Sequence, residues 1–441
     1  MNSIMASKQR RKLGRNRMQT DCSKSVRAAH VIGAALLATG LIATSIPGAL
    51  AQDTTVSVYG HRYPFNEYYM NDVMADAVPG VKVEVNLSSY QQLQEKLRIS
   101  LSSKSDDVDL FACQRAKVLE NAKFDRIQPI DDLWEKYKDE YNLGDISDVL
   151  VDAMRVDGKL YAFPFGVNTM IFFYRKDLFD EMGVKPPKTM DEYIELAKKF
   201  NSPRRSGTQL SMKMVETGIN QLNWHFNAEG PGWLDDTTFA PLFNNAEGVK
   251  AIQKLKELTK YSAPGYLSNG NNEAMVNFQQ DLAVMGLQWM SRAKAMDDPN
   301  KSKIVGKMDF TVPPGGGSRA IVVGFCLSKY SDVDREVMFK ILAEASKPEN
   351  MKPAAAFLLP VRKTIQSDPE VLAANRHYGA VSATVEVAKD VPPLPEYSEV
   401  GEFMVRRVHQ ALTGELEVKE ALDLAADEVR EHLKKRGYTI E

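Results

Sequence analysis

The chain has 441 residues, with 56 Lys and Arg against 58 Asp and Glu, and a formal net charge of −2. That length exceeds what one hydrophobic core supports, since cores tend to divide beyond about 250–300 residues, so two lobes are expected. The acidic balance argues against nucleic-acid binding, which needs a basic face.

The first 51 residues predict a secretory signal. Eight basic residues and one acid precede an apolar run from Val31 to Ile46, which is followed by the small-residue site Ala49-Leu50-Ala51. A membrane anchor is the alternative, but spanning needs about 20 apolar residues. We expect cleavage after Ala51. The remaining chain holds 48 basic and 57 acidic residues, a net charge of −9.

Two features of this segment bear on the route of export. Arg10-Arg11 allows twin-arginine export, but the following residues match that motif poorly, so ordinary secretion is favoured. Cys22 precedes the apolar run, whereas a lipid-anchor cysteine would follow it. No lipid anchor and no further membrane span are therefore expected.

Strands and helices alternate in the next part of the chain. Thr55–Tyr59 and Val81–Leu87 are predicted strands, Leu93, Leu97 and Leu101 mark a helix face, and Val108–Ala112 is a short apolar strand. This alternation favours an α/β sheet.

Ligands of such sheets bind beyond the carboxyl ends of the strands. The candidate binding loops are therefore Gly60–Tyr63, Ser88–Tyr90 and Cys113–Arg115.

Residues 158–200 carry the most specific pattern. Lys159–Phe163 and Thr169–Tyr174 are predicted as two strands, and Thr189 with Glu192 forms a capping box at the start of an amphipathic helix. The run Gly158-Lys159-Leu160-Tyr161-Ala162-Phe163-Pro164, the Tyr-Arg-Lys-Asp-Leu-Phe run and the final helix together resemble the family-1 extracellular solute-binding proteins, the carbohydrate-binding components of bacterial ABC importers.

The resemblance implies a two-lobe periplasmic binding protein fold of the α/β class, similar to type II. Its lobes would be discontinuous: 52–165 with 314–363, and 166–313 with 364–441. It further implies a hinge near Phe163–Asn168 and Phe310–Pro314, a sugar or oligosaccharide ligand, and the permease subunits of an ABC importer as partners. A periplasmic monomer without cofactor or metal and without catalytic activity is expected.

The remaining elements continue this pattern. Helices are predicted at Asn245–Tyr261 and Asp332–Ala345, and strands at Met308–Pro313 and Ile321–Leu327. The segment Ala274–Ala295 ends near Trp289, where the family has a short strand leading to a binding-site tryptophan. The last helix carries an apolar stripe, and Gly437 is placed as its C-cap.

Motifs of catalysis or metal binding are missing from the sequence. Gly315-Gly316-Gly317-Ser318 lacks the Lys of a phosphate loop and is assigned to a turn. The histidines are dispersed. Cys113 and Cys326 are expected to be buried free thiols, although the periplasm would permit a disulfide. A secreted glycan-active enzyme and a binding protein for another solute remain as alternatives.

Sugar binding needs aromatic walls and planar polar groups. Trp224 and Trp289 are the candidate walls, whereas Trp134 is assigned to helix packing and Trp233 to a surface turn. Tyr161 and Asn168 would lie on the cleft floor by resemblance. Gly324 either lets backbone approach the ligand or marks a strand bulge, and both alternatives stay open.

Arginines distinguish the predicted loops, because many neutral-sugar binders carry carboxylates there. Arginine recognises carboxylate and phosphate groups, which leads to the hypothesis of an anionic sugar. The alternative is that these arginines form ion pairs with Asp107, Asp109 or the surface between lobes. The expected ligand-binding residues are His61, Arg62, Gln114, Arg115, Tyr161, Asn168, Trp224, Trp289, Arg319 and Gly324.

Overall fold

The computed structural model describes residues 54–230, 232–392 and 394–440. The predicted signal and its cleavage site lie outside these residues. The strands are β1 Thr54–His61, β2 Val81–Ser88, β3 Leu110–Gln114, β4 Arg155–Val156, β5 Lys159–Leu160, β6 Ala162–Arg175, β7 Ser206–Gln209, β8 Ala283–Trp289, β9 Met308–Thr311, β10 Ala320–Leu327 and β11 Leu359–Pro360.

The helices surround these strands in the α/β class expected from the sequence. They are α1 Pro64–Glu67, α2 Tyr90–Ser102, α3 Arg115–Lys123, α4 Asp131–Tyr137, α5 Asp148–Asp152, α6 Lys176–Met182, α7 Met190–Phe200, α8 Glu216–Glu229, α9 Ala246–Thr259, α10 Asn271–Gln279, α11 Arg335–Ala345, α12 Pro348–Ala354, α13 Lys363–Gln366, α14 Pro369–Ala374, α15 Tyr378–Val387, α16 Tyr397–Thr413 and α17 Val418–Lys435.

The main sheet has the strand order β2-β1-β3-β10-β6-β8-β7, and β9 and β11 also pair with β6. β1 runs parallel to β2 and β3, whereas β10 is antiparallel to both β3 and β6. The parallel strands β1 and β3 therefore end at the same edge, at His61 and Gln114, where ligands of α/β sheets bind.

The long strand β6 connects two groups of strands. Ala162–Thr169 pairs with β10, and Met170–Tyr174 pairs with β8. The prediction of two separate strands here is wrong, because a single strand of 14 buried residues spans the region. Pro164 is accommodated at a bulge, where the register with β10 shifts between Val323 and Gly324 and no regular ladder bond is required of the proline.

Local signals elsewhere are confirmed. The side chain of Thr189 accepts from the Glu192 amide, and Glu192 bonds back to Thr189, which completes the predicted capping box. Gly437, with a φ of +90°, follows the end of α17, as a C-cap glycine does. Trp134 is a buried residue of α4, as expected from its assignment to helix packing.

Helix α8 is enclosed by the rest of the molecule. Every residue from Thr217 to Phe226 is buried, including five polar residues. The expected surface turn at Trp233 is wrong, because that side chain is also buried and its carbonyl accepts from the Leu242 amide. Within the described part of the chain, no helix combines the length and apolarity needed to cross a bilayer.

Candidate ligand-binding site

A network of polar side chains lies at the edge where β1 and β3 end. It consists of His61, Tyr90, Gln114, Glu216, Asn220, Arg319, Asp390 and Tyr397, called the polar network below. Nε2 of Gln114 lies 2.8 Å from Oε1 of Glu216, 3.2 Å from the hydroxyl of Tyr397 and 3.3 Å from the hydroxyl of Tyr90. Gln114 thereby connects the end of β3 to the first residue of α8.

Arg319 is the cation of this network. Its side chain is 1% exposed, and it donates to Oδ1 of Asp390 at 2.6 Å, Oε1 of Glu216 at 3.0 Å and Oδ1 of Asn220 at 2.6 Å. Burial acts to lower the pKa of Arg319, but the carboxylates of Asp390 and Glu216 raise it above the usual value. The guanidinium is therefore fully charged at neutral pH.

Glu216 is held ionised by its partners. Burial alone would raise its pKa, but Arg319 and the hydrogen bonds from Gln114 and Tyr90 bring the pKa below the ordinary value. Glu216 is therefore a hydrogen-bond acceptor at neutral pH and not a proton donor.

His61 ends β1 with its ring stacked on Tyr63, the ring centroids being 4.3 Å apart, and with its edge toward Tyr90 at 5.3 Å. Burial, followed by the charge of Arg292, lowers the pKa of His61 to about 4. At neutral pH its ring is uncharged and offers one donor and one acceptor.

A second group of residues, the Arg292 region, comprises Asn168, Trp289, Ser291 and Arg292. Arg292 follows the end of β8, is 8% exposed and donates to Oδ1 of Asn272 at 3.2 Å. Among the described residues no carboxylate lies within ion-pairing distance of it. Burial lowers its pKa to about 10, although Tyr63 and Glu273 act in the opposite direction. The bond to Asn272 uses one of the five donors of Arg292, and no other donor of its guanidinium bonds a described residue.

Unpaired polar atoms occur in both groups. Nη2 of Arg319 and Oδ1 of Asn168 are buried and have no hydrogen-bond partner among the described residues. Nδ2 of Asn168 reaches Oγ of Ser291 at 3.5 Å. Buried polar groups are normally hydrogen-bonded, so these two atoms are candidates to bond water or a ligand.

Five of the sequence-predicted site residues lie in these two groups. His61, Gln114 and Arg319 belong to the polar network, and Asn168 and Trp289 to the Arg292 region. Trp289 is the last residue of β8, is almost completely buried and pairs with Met170 in the sheet.

Three other predicted residues lie apart from both groups. Arg62 is at the surface, where its side chain is 63% exposed and pairs with Glu67 at 3.4 Å. Arg115 donates to the carbonyl of Ala153. Tyr161 lines a separate cavity of about 410 Å³ together with Lys123 and other residues.

Trp224 and Gly324 lie inside the protein. Trp224 is fully buried on α8, and its indole N–H donates to the carbonyl of Pro314 at 3.1 Å. Gly324 lies between β3 and β6 at the bulge, where a Cβ would be 2.1 Å from the carbonyl oxygen of Phe163. Of the two alternatives for Gly324, the structure has the bulge.

Seven members of the two groups are not among the expected ligand-binding residues: Tyr90, Glu216, Asn220, Ser291, Arg292, Asp390 and Tyr397. Arg292 had a signal, since it follows the family-like Trp289 by three residues. Glu216 lies one helical turn before Asn220, on a helix already rich in amides. Asp390 and Tyr397 had no such signal in the sequence, because they come next to Arg319 and Gln114 only in the folded chain. In the described residues, no three His, Cys, Asp or Glu side chains converge as metal ligands.

Comparison with known proteins identifies one family for this chain. The family model of the bacterial extracellular solute-binding proteins matches residues 63–352, more than half of the chain. A mannitol-binding protein of Pseudomonas aeruginosa is 22% identical over 92% of this chain and 98% of its own length.

Solved structures share the fold. An ABC transporter solute-binding protein of Agrobacterium radiobacter K84, in complex with ribitol, has a TM-score of 0.79 at 23% identity, covering 86% of this chain and 98% of that one. A solute-binding protein of Agrobacterium vitis S4 with bound D-mannitol has a TM-score of 0.77 at 24% identity, covering 87% and 99%. This chain belongs to the family of bacterial extracellular solute-binding proteins.

Proposed function

We propose that this protein is the periplasmic binding component of an ABC importer and captures a polyol or a small sugar. The unpaired atoms Arg319 Nη2 and Asn168 Oδ1, with the Arg292 donors that bond no described residue, carry the proposal. A polyhydroxylated ligand both donates and accepts, so it can bond donors and acceptors of this kind. The mannitol- and ribitol-binding relatives support the same ligand class.

The ligand is uncharged in this proposal. Arg62, Arg115 and Arg319 suggested an anionic sugar, but Arg62 pairs with Glu67, Arg115 bonds a carbonyl and Arg319 has two carboxylates. The charges of Glu216, Asp390, Arg319 and Arg292 sum to zero. The donors of Arg292 are therefore assigned to ligand hydroxyls.

The binding cycle follows from two lobes, 52–165 with 314–363 and 166–313 with 364–441. The polar network joins them, since Gln114 belongs to the first and Glu216 to the second. Rotation about the segments Phe163–Asn168 and Phe310–Pro314 would separate both Gln114 and Arg319 from Glu216 and open the site to solvent. A ligand that bridges both sides favours the closed form, which is offered to the permease as a monomer.

Hydrolysis of a glycan is the alternative that the site favours least. A glycosidase needs one carboxylic acid with a raised pKa beside a carboxylate. Glu216 has a lowered pKa and shares Arg319 with Asp390. The relatives are likewise binding proteins and not enzymes.

Calorimetric titration tests the proposal. The full chain is expressed, the protein is collected from the periplasmic fraction, and its N-terminus is sequenced to test cleavage after Ala51. After unfolding and refolding to remove bound solute, it is titrated with ribitol, mannitol and maltose. We expect micromolar or tighter binding of at least one of them.

Titration with sugar acids of the same carbon chain as the polyols tests whether the ligand is charged. Ribonate and mannonate have the same carbon chains as ribitol and mannitol but carry one carboxylate. We expect them to bind more weakly than the polyols. Preference for an acid would overturn the neutral assignment alone, whereas absence of binding to every polyol and sugar would overturn the proposed function.

A further inference from the structure

The two cysteines of the described chain are 213 residues apart in sequence and meet in the sheet. Cys113 on β3 is opposite Gly324 on β10, and Cys326 is opposite Phe111. The cysteines are therefore diagonal neighbours on one face of an antiparallel pair, with side chains within reach of each other. Their sulfur atoms are in contact at 2.6 Å.

The surroundings of this pair exclude the other common roles of adjacent thiols. Both side chains are buried among the core residues. No third metal-ligating side chain joins them within the described part of the chain. Burial raises the pKa of the Cys326 thiol, so the nucleophilic thiolate is scarce once the sheet has formed.

We propose that Cys113 and Cys326 are joined by a disulfide bond in the exported protein. The family is extracellular, and the compartments outside the cytoplasm are oxidising. The bond forms by exchange with a disulfide-bearing oxidoreductase. One cysteine thiolate attacks the oxidoreductase disulfide, the second displaces the resulting mixed disulfide, and the oxidoreductase leaves as a dithiol. Two protons and two electrons pass from the cysteines to that partner.

The burial of both sulfur atoms indicates when the disulfide forms. A folded chain shields both sulfurs and holds the Cys326 thiol protonated, so exchange takes place before β3 and β10 are covered by the rest of the molecule. The crosslink then closes a long loop and ties together two distant chain segments. Cys113 immediately precedes Gln114, so the same bond fixes the end of the strand that presents Gln114 to the polar network.

Thiol counting in the unfolded protein tests the bond. The full chain is exported by a bacterium, purified without reductant, unfolded in guanidinium chloride with iodoacetamide and weighed by mass spectrometry. We expect no alkylation of Cys113 or Cys326, and two alkylated cysteines when a phosphine reductant is added first. Peptide mapping assigns the sites and separates them from Cys22, if the precursor persists.

Single variants provide the control. Cys113→Ala is expected to leave Cys326 open to alkylation without reductant, and Cys326→Ala to leave Cys113 open. In urea unfolding, reductant should lower the midpoint of the parent protein and leave that of Cys113→Ala unchanged.

Two alkylated thiols in the unreduced, exported parent protein would overturn the proposal, as would a small-thiol adduct on either cysteine. If the chain is not exported, refolding in a glutathione redox buffer decides: an intramolecular disulfide upholds the proposal, and two free thiols refute it.

Discussion

Arg319 and Arg292 are both buried guanidinium groups, but the fold treats them in opposite ways. Arg319 has two carboxylates and an amide oxygen within 3.0 Å, and its pKa is raised. Arg292 has a single amide oxygen at 3.2 Å, and its pKa is lowered to about 10. Carboxylates within the fold pair with Arg319, whereas Arg292 has no carboxylate within ion-pairing distance among the described residues and is the group proposed to bind the ligand.

Removing Arg319 should have the largest effect. Arg319→Met leaves Glu216 and Asp390 without their cation, and breaking a buried ion pair costs about 3–5 kcal/mol. We expect a fall of that size in the free energy of unfolding, measured by urea denaturation. Arg62→Met, at the exposed surface, is the control and should change it by about 0.5 kcal/mol or less. Equal losses in the two variants would mean that Arg319 is not a structural charge.

The second-largest effect should be a loss of folding stability at acidic pH, caused by buried histidine side chains. Burial lowers the pKa of His225 to about 3, against about 6.5 in the unfolded chain. Between these values the unfolded chain binds a proton that the folded chain does not, so stability falls as the pH decreases. From pH 7 to pH 5 the loss is about 2 kcal/mol.

Variants separate this contribution from others. His61 and His377, each with a pKa lowered to about 4, add losses of the same sign. His225→Gln should reduce the difference in unfolding free energy between pH 7 and pH 5 relative to the parent protein. A difference as large in His225→Gln as in the parent protein would contradict the assignment. The lowered pKa of Glu216 adds its own loss at pH values below about 4.

Neutralising Arg292 should separate binding from stability. Arg292→Met removes an uncompensated buried charge, so the free energy of unfolding should not fall. Affinity for the bound polyol should fall about tenfold or more, because a charge-assisted hydrogen bond contributes about 1.5–3 kcal/mol. Arg115→Met is the matched control, since among the described residues that guanidinium bonds only the Ala153 carbonyl. Titration of both variants with mannitol and ribitol makes the comparison, and unchanged affinity in Arg292→Met would remove Arg292 from the site.

The same contrast explains what could be predicted from sequence. The capping box of α7 and the apolar face of α2 depend on residues within one or two helical turns, and both were predicted. The discontinuity of the lobes was inferred from family resemblance and stays a prediction. The partners of Arg319 could not be predicted from the sequence or from the resemblance, because Glu216 and Asp390 lie 103 and 71 residues away and carry no local pattern. Arg62 and Arg115 have the same residue type as Arg292, and only the fold decides which of them lacks a partner.

The smallest effect is expected where the sequence suggested the largest. Arg62 and Arg115 flank the ends of β1 and β3, yet their side chains are engaged with Glu67 and with the Ala153 carbonyl. The double variant Arg62→Gln, Arg115→Gln should therefore bind both mannitol and mannonate within about twofold of the parent protein, or about 0.4 kcal/mol. Titration with this matched pair is decisive, since a selective loss of mannonate binding would place one of these arginines in the site. Equal affinities would leave Arg292 as the charged group that the ligand meets.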